Sequence, residues 1–133
     1  MIYLASPYSH PVPTVRRRRF KAVCRAAAVM LKKGLMVYSP IVHSVPIAAC
    51  GLDAMDHDFW MHVDRPFLDW CSSVTVLMLP GWDVSKGVAA EIKIATTAGK
   101  PVSYLDPATV GISAVEQETT PVLDETGALE VTG

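Results

Sequence analysis

Four short apolar runs that do not alternate with polar residues most constrain how this chain folds. They are Ile2-Tyr3-Leu4-Ala5-Ser6, Leu35-Met36-Val37-Tyr38, Val74-Thr75-Val76-Leu77-Met78-Leu79 and Val102-Ser103-Tyr104-Leu105. A strand with one face in water alternates apolar and polar residues, whereas a parallel strand covered on both faces reads as a near-continuous apolar run. Each run stops at a proline or a polar residue: Pro7, Ser39-Pro40, Pro80-Gly81 and Asp106.

The stretches between the runs carry helical spacing. From Pro13-Thr14, with Thr14 read as the cap, Val15, Phe20, Val23, Ala27, Met30 and Leu31 recur on a helical period. Lys32-Lys33-Gly34 closes that helix with late cations and a glycine. Residues 43–56 read as irregular helix and loop punctuated by Gly51 and Asp53. Asp58 to Trp70 reads as a helix with Trp60, Val63, Phe67 and Leu68 on one side, and Pro66 marks a kink or a fresh start. A last helix runs from about Ser85 to Ala98 and ends at Gly99-Lys100-Pro101. The order β-α-β-α-α-β-α-β predicts an α/β domain of three layers, a parallel four- to five-stranded sheet with helices on both faces, of the Rossmann or flavodoxin type. The domain is expected over residues 1–118, with residues 119–133 forming a tail or a hairpin around Glu125-Thr126-Gly127.

Composition narrows the partners. A chain of 133 residues supports a single core, and half of its residues are hydrophobic. The formal net charge of −1 gives no global field to recruit a nucleic-acid polymer or an anionic membrane, although a free nucleotide needs only a local cationic pocket. Cys24, Cys50 and Cys71 are odd in number, far apart and without CxxC spacing, so they predict buried thiols in a reducing cytoplasm and no disulfide or structural zinc. The first apolar run is too short for a signal-peptide core, and no stretch reaches bilayer length. His57 and His62 are five apart and do not share a helix face, which argues against a metal pair.

In an open parallel sheet, ligands bind beyond the carboxyl ends of the strands where strand order reverses. Two segments end there with unusual content: Ser6-Pro7-Tyr8-Ser9-His10, and Gly81-Trp82-Asp83-Val84-Ser85-Lys86-Gly87 leading to Glu91. Gly87 and Glu91 are four apart and stack on one helix face. Side chains lean toward the helix N-terminus, so the Glu91 carboxylate points at the space that a Gly87 side chain would fill. Ser85 stands at the helix start, where free N–H groups and the dipole favour an anion. Six residues of helix put this seat roughly 9 Å from the carboxylate, a spacing suited to the 5′-phosphate and anomeric carbon of one nucleotide. Taken alone, Ser-x-Gly-x-x-x-Glu also reads as a cap, a packing glycine and a solvated carboxylate. The topological position and the apolar neighbours Ala89, Ala90, Ile92 and Ala95 favour the site.

Together, Ile2 to Ser6, Asp64, Ser85-x-Gly87-x-x-x-Glu91 with Ala95, and Gly99-Lys100-Pro101-Val102 resemble the nucleoside 2-deoxyribosyltransferase superfamily, and more closely its DUF1937-type branch, over about residues 1–105. The resemblance implies that Glu91 is a nucleophile attacking the anomeric carbon, that Tyr3 orients it, and that Asp64 contacts and protonates the base. It also implies an N-glycosidase or transferase without cofactor or metal that forms a homodimer or larger homo-oligomer. Ser85 stands where transferases for free nucleosides carry aspartate and where nucleoside 5′-monophosphate N-glycosidases carry serine. That departure favours a nucleotide substrate with water as acceptor. A nucleotide-binding sensor that lost turnover is the competing reading.

Other residues join the candidate pocket less firmly. Arg16-Arg17-Arg18-Arg19 spreads around a helix, so one of Arg17 and Arg19 can reach a phosphate. Ser6, Tyr8 and Ser9 follow the first strand, and His43 follows the second and is expected at the base. Trp82 precedes Ser85 and is expected to stack on ligand, whereas Trp60 and Trp70 have core spacing.

Overall fold

The computed structural model describes residues 1–118, and the tail or hairpin expected over 119–133 lies outside them. Four strands form one sheet: β1 (Ile2–Ala5), β2 (Val37–Tyr38), β3 (Ser73–Leu77) and β4 (Val102–Leu105). Their order is β2-β1-β3-β4 and every pairing is parallel, with Ile2 opposite both Val37 and Ser73, and Val74 opposite Val102. The helices are α1 (Pro13–Lys32), α2 (Pro40–Ala48), α3 (His57–Trp70) and α4 (Lys86–Thr97), with single 3-10 turns at Trp82–Val84 and Pro107–Val110.

Both faces of the central strands β1 and β3 are covered, as their unbroken apolar runs require. The outer runs are not: Leu35 and Met36 lie exposed ahead of the two-residue β2, and Ser103 and Tyr104 of β4 are exposed because an edge strand lacks a full cover of helices. Tyr3, Ala5, Val74 and Val76 point to one side and pack with Leu68 of α3 and Val88 and Ala95 of α4. Leu4 and Leu77 point to the other and pack with Leu79, with Ala22, Val23, Ala26 and Met30 of α1, and with Val110 and Ile112. This period of two along each strand is what a three-layer α/β fold demands.

Several local expectations are corrected. Thr14 does not cap α1: the helix starts at Pro13, the capping position is Val12, and Thr14 is buried in the first turn with its Oγ1 unpartnered. Proline at the first helical position lacks the N–H that a cap would satisfy, which moves the start forward. Leu31 is exposed at the end of that helix. Residues 40–48, read in part as irregular, form a regular helix because Ser39 Oγ accepts the Val42 N–H at 3.1 Å and Pro40 follows it. Pro66 neither ends nor restarts α3, which runs on to Trp70; its ring faces solvent, and the continued helix carries Leu68 into the core. Trp70 is 68% exposed on the outer side of the last turn, and of the cysteines only Cys71 is buried, Cys50 lying exposed beyond α2. Among the described residues no helix is long and apolar enough to cross a membrane.

Candidate active site

Strand order turns between β1 and β3: the chain leaves β1 toward β2 and leaves β3 toward β4. The loops beyond their carboxyl ends therefore diverge, and a cleft of about 560 Å³ opens between them. Its walls are one face of α2, one face of α3, the first turns of α4 and the loop after β1. Spacing explains each contribution: Ile41, Ser44, Val45 and Ala48 share a face of α2, and His57, Trp60, Met61 and Asp64 share a face of α3.

Three chemically active groups meet at the floor. Glu91, one turn beyond Gly87 on α4, is only 6% exposed, and burial pushes its carboxyl up to about 8. Tyr3, set on β1 beneath it, acts in the opposite direction on Glu91, while the nearby Asp64 charge adds to the rise. Tyr3 is wholly buried. Burial first, then the Glu91 and Asp64 carboxylates, hold its hydroxyl far above the ordinary tyrosine range, so it stays a proton donor. Its Oη lies within reach of Glu91 without the alignment of a full hydrogen bond. Asp64 projects from α3, and burial raises it to about 6. Two carboxyl groups with raised values in one cleft share protons as a pair, and between about pH 6 and 8 that pair holds one.

At the mouth, Ser85 caps α4, its Oγ accepting the Val88 N–H at 3.3 Å. The bond uses a lone pair and leaves the hydroxyl proton available to a ligand. Helix α3 runs parallel to α4, because His57 stands beside Gly87 at one end while Lys100 Nζ, just past α4, donates to Leu68 O (2.8 Å) and Asp69 O (2.7 Å) at the other. The positive dipole ends of both helices thus open onto one cleft. A Cβ added to Gly87 would lie 3.7 Å from His57 Cε1 and 3.9 Å from Ser85 Oγ, so these groups border one small space, with Lys86 also on the wall. His57, whose spacing from His62 spoke only against a metal pair, is exposed at the cleft mouth and is brought there by the packing of α3 on α4.

Arg19 of α1 ties the two loops together. Its guanidinium donates to Ser9 O at 2.9 Å after β1 and to Pro80 O at 3.0 Å after β3. The residue is 8% exposed, its Nε has no partner, and burial lowers its pKa. Gly81 takes a φ of +96°, which favours glycine, and a Cβ there would lie 2.8 Å from Arg19 Nη2 and push the guanidinium off its two carbonyl partners. Beside this latch, Ser6 Oγ is buried and unpartnered at the cleft wall, and Tyr8 and His10 also line it. His10 Nδ1 accepts the Val12 N–H at 3.0 Å, which places the ring proton on Nε2 when the imidazole is neutral.

Of the residues expected from sequence, the cleft brings together Glu91, Asp64, Ser85, Gly87, Ser6, Tyr8 and Arg19, with Tyr3 directly below. It does not bring in His43 or Trp82. His43 is exposed and lies against Tyr38 and Phe67, at ring separations of 5.9 and 5.6 Å, because its place on α2 is turned by one rotation step from Ser44, out of the cleft-facing side. Trp82 turns onto Tyr104 of β4 at 5.5 Å, and Val84 takes the place at the cleft. Arg17 does not line the cleft, whereas Trp60, read as core, does. Among the described residues no group of three or more His, Cys, Asp or Glu side chains is arranged to hold a metal ion.

Fold and site together define an open parallel α/β protein with a paired-carboxylate cleft at its topological switch point. The chain belongs to the family described as Domain of unknown function (DUF1937), whose sequence profile matches residues 1–106 and so takes in every cleft residue named above. No curated protein matches the chain.

Proposed function

We propose that this protein is an N-glycosidase that cleaves a nucleoside 5′-monophosphate through a covalent glycosyl–Glu91 intermediate. The observation that carries the reading is the meeting of Glu91, Asp64 and Tyr3 on the floor of a cleft whose mouth is formed by two helix N-termini. A buried carboxylate with a second, protonated carboxyl beside it suits displacement at an anomeric carbon.

In the first step a Glu91 oxygen forms a bond to C1′ as the C1′–N bond breaks and its electron pair moves onto the base. Asp64 gives its proton to the departing base and is left as a carboxylate. In the second, water attacks C1′, its proton passes to Asp64, and the Glu91–C1′ bond pair returns to Glu91. The Tyr3 hydroxyl supports the Glu91 carboxylate from below. The reactive arrangement carries the shared proton on Asp64, whereas deeper burial of Glu91 favours the opposite one. Positive charge developing on the sugar beside Glu91 draws the proton across.

The phosphate belongs at the mouth, where the Ser85 hydroxyl, the α4 N–H groups, Lys86 and His57 gather. The base belongs at the apolar end between α2 and α3, near Trp60 and Met61. A transferase differs only in presenting a second base in place of water. The working form is proposed to be a cytoplasmic homodimer or larger homo-oligomer. Incubation with a panel of nucleoside monophosphates and nucleosides, reading free base by chromatography, tests the reading. Base is released from monophosphates by the wild type and not by Glu91→Gln. Equal turnover by that variant, or no release from any substrate, refutes it.

A further inference from the structure

Ser44 is an anomaly in its own helix. A serine in mid-helix usually turns its hydroxyl back to the carbonyl four residues earlier, here Pro40, or out to solvent. Ser44 does neither: it is 7% exposed, its Oγ is fully buried, and that oxygen makes no aligned hydrogen bond. A buried hydroxyl left without a partner costs stability, and such atoms concentrate where a ligand or a reacting group completes them. The side chain lines the cleft, on the face of α2 that is otherwise apolar through Ile41, Val45 and Ala48. Across from it stands Asp64, whose Oδ1 is likewise buried and unpartnered.

We propose that Ser44 is the positioning residue for Asp64, its hydroxyl anchoring the carboxyl group so that the proton given to the departing base leaves from a fixed oxygen. This rests on the glycosidase reading for its purpose, though not for its geometry. The groups facing Asp64 are Ser44 from α2, Tyr3 and Tyr38 from β1 and β2, and Glu91 from α4. Of the hydroxyls among them, Tyr3 serves Glu91, Tyr38 acts on Asp64 through charge alone although its own Oη is buried and unpartnered, and Ser44 is the one placed to donate to the Asp64 carboxyl. Burial makes Asp64 hold its proton, and the Ser44 hydroxyl opposes that rise. The balance matters because an acid raised too far releases its proton to a heterocycle poorly.

The test needs no turnover in its first arm. In the full chain carrying carboxyl-labelled aspartate, NMR follows the Asp64 titration in the wild type, Ser44→Ala and Ser44→Thr. Loss of the hydroxyl is expected to move the midpoint upward by about one pH unit, and threonine is expected to restore it. An unchanged midpoint in Ser44→Ala overturns the proposal, as does failure of threonine to restore a shifted one. If Ser44→Ala does not fold, Ser44→Cys takes its place, since the weaker thiol donor should give a smaller shift in the same direction. The second arm measures base release against pH, where the acidic limb should move with the midpoint and kcat should fall more than KM rises. A moved midpoint with no base release from any wild-type sample sinks the glycosidase reading and leaves the Ser44–Asp64 pairing standing. A moved midpoint with an unmoved acidic limb overturns the catalytic purpose of the pairing.

Discussion

Replacing Glu91 with glutamine should remove activity and add stability, by an amount that depends on pH. The carboxyl is buried, and burial raises it from the ordinary 4.5 to about 8. A carboxyl with a raised folded value binds its proton more tightly in the native chain than in the unfolded one. Native stability is therefore lost as pH climbs from about 4.5 to about 8, and the loss is complete above that. Converted at about 1.36 kcal/mol per unit, the ceiling is about 5 kcal/mol. Local relaxation and water entry bring the expected loss to roughly 2 kcal/mol. Glutamine has the same shape and no charge to desolvate, so Glu91→Gln escapes the loss. In thermal unfolding of a chain this size, roughly 2 kcal/mol corresponds to about 7 °C. The variant should match the wild type near pH 4.5 and melt about 7 °C above it at pH 8.5, while base release falls by about a thousandfold or more. Equal melting at pH 8.5 refutes the claim that Glu91 is held in an unfavourable charge state. Retained turnover refutes its role as nucleophile.

The pH–rate profile for base release should be a bell with limbs near 6 and 8, falling on the acid side as Glu91 and Asp64 are both protonated and on the alkaline side as both ionise; a single limb across pH 5–9 removes the paired-carboxylate scheme. Gly87→Ala should fold as stably as the wild type or better by up to about 1 kcal/mol, since its Cβ meets only ordinary contact at 3.7 Å, yet kcat/KM should fall because the methyl fills the space above Glu91. Denaturant unfolding and steady-state kinetics on that variant separate the two effects. Arg19→Met should cost about 2–3 kcal/mol in urea unfolding by stripping donors from Ser9 O and Pro80 O, and Arg19→Lys should rescue little, because one ammonium does not reproduce a fork that spans two loops. Full rescue by lysine would show that charge alone matters there.

The sheet was legible from sequence because its cause is local: a strand buried on both faces has to be apolar at every position, and Ile2–Ala5 and Val74–Leu77 show it. The Ser85–Gly87–Glu91 arrangement was legible for the same reason, being set by one helix's own geometry. Groups that depend on how separate elements pack were not. His57 meets Gly87 only because α3 lies parallel to α4, and Arg19 meets Pro80 only because α1 crosses the ends of β1 and β3. The spacing of Arg16 to Arg19 says that one of them faces inward without saying which. His43 and Trp82 were misplaced because adjacency to a site along the chain fixes distance and leaves direction open; one rotation step on α2 separates exposed His43 from buried Ser44. Thr14 looked like a cap by residue type, and Pro13 before it had already set the helix start.

The position of β1 in the sheet also governs when the protein can begin to work. Of the four strands β1 is made before the others yet lies between β2 and β3, and its longer pairing, from Ile2 opposite Ser73 to Ala5 opposite Val76, waits for a partner some seventy residues later. Until that partner emerges, β1 has only its two-residue pairing with β2, Ala5 has no strand opposite it, and Arg19 has only one of the two loops it fastens. Glu91 and its helix arrive later still. A growing chain can therefore complete the cleft only late, once β3 and α4 join the walls made before them.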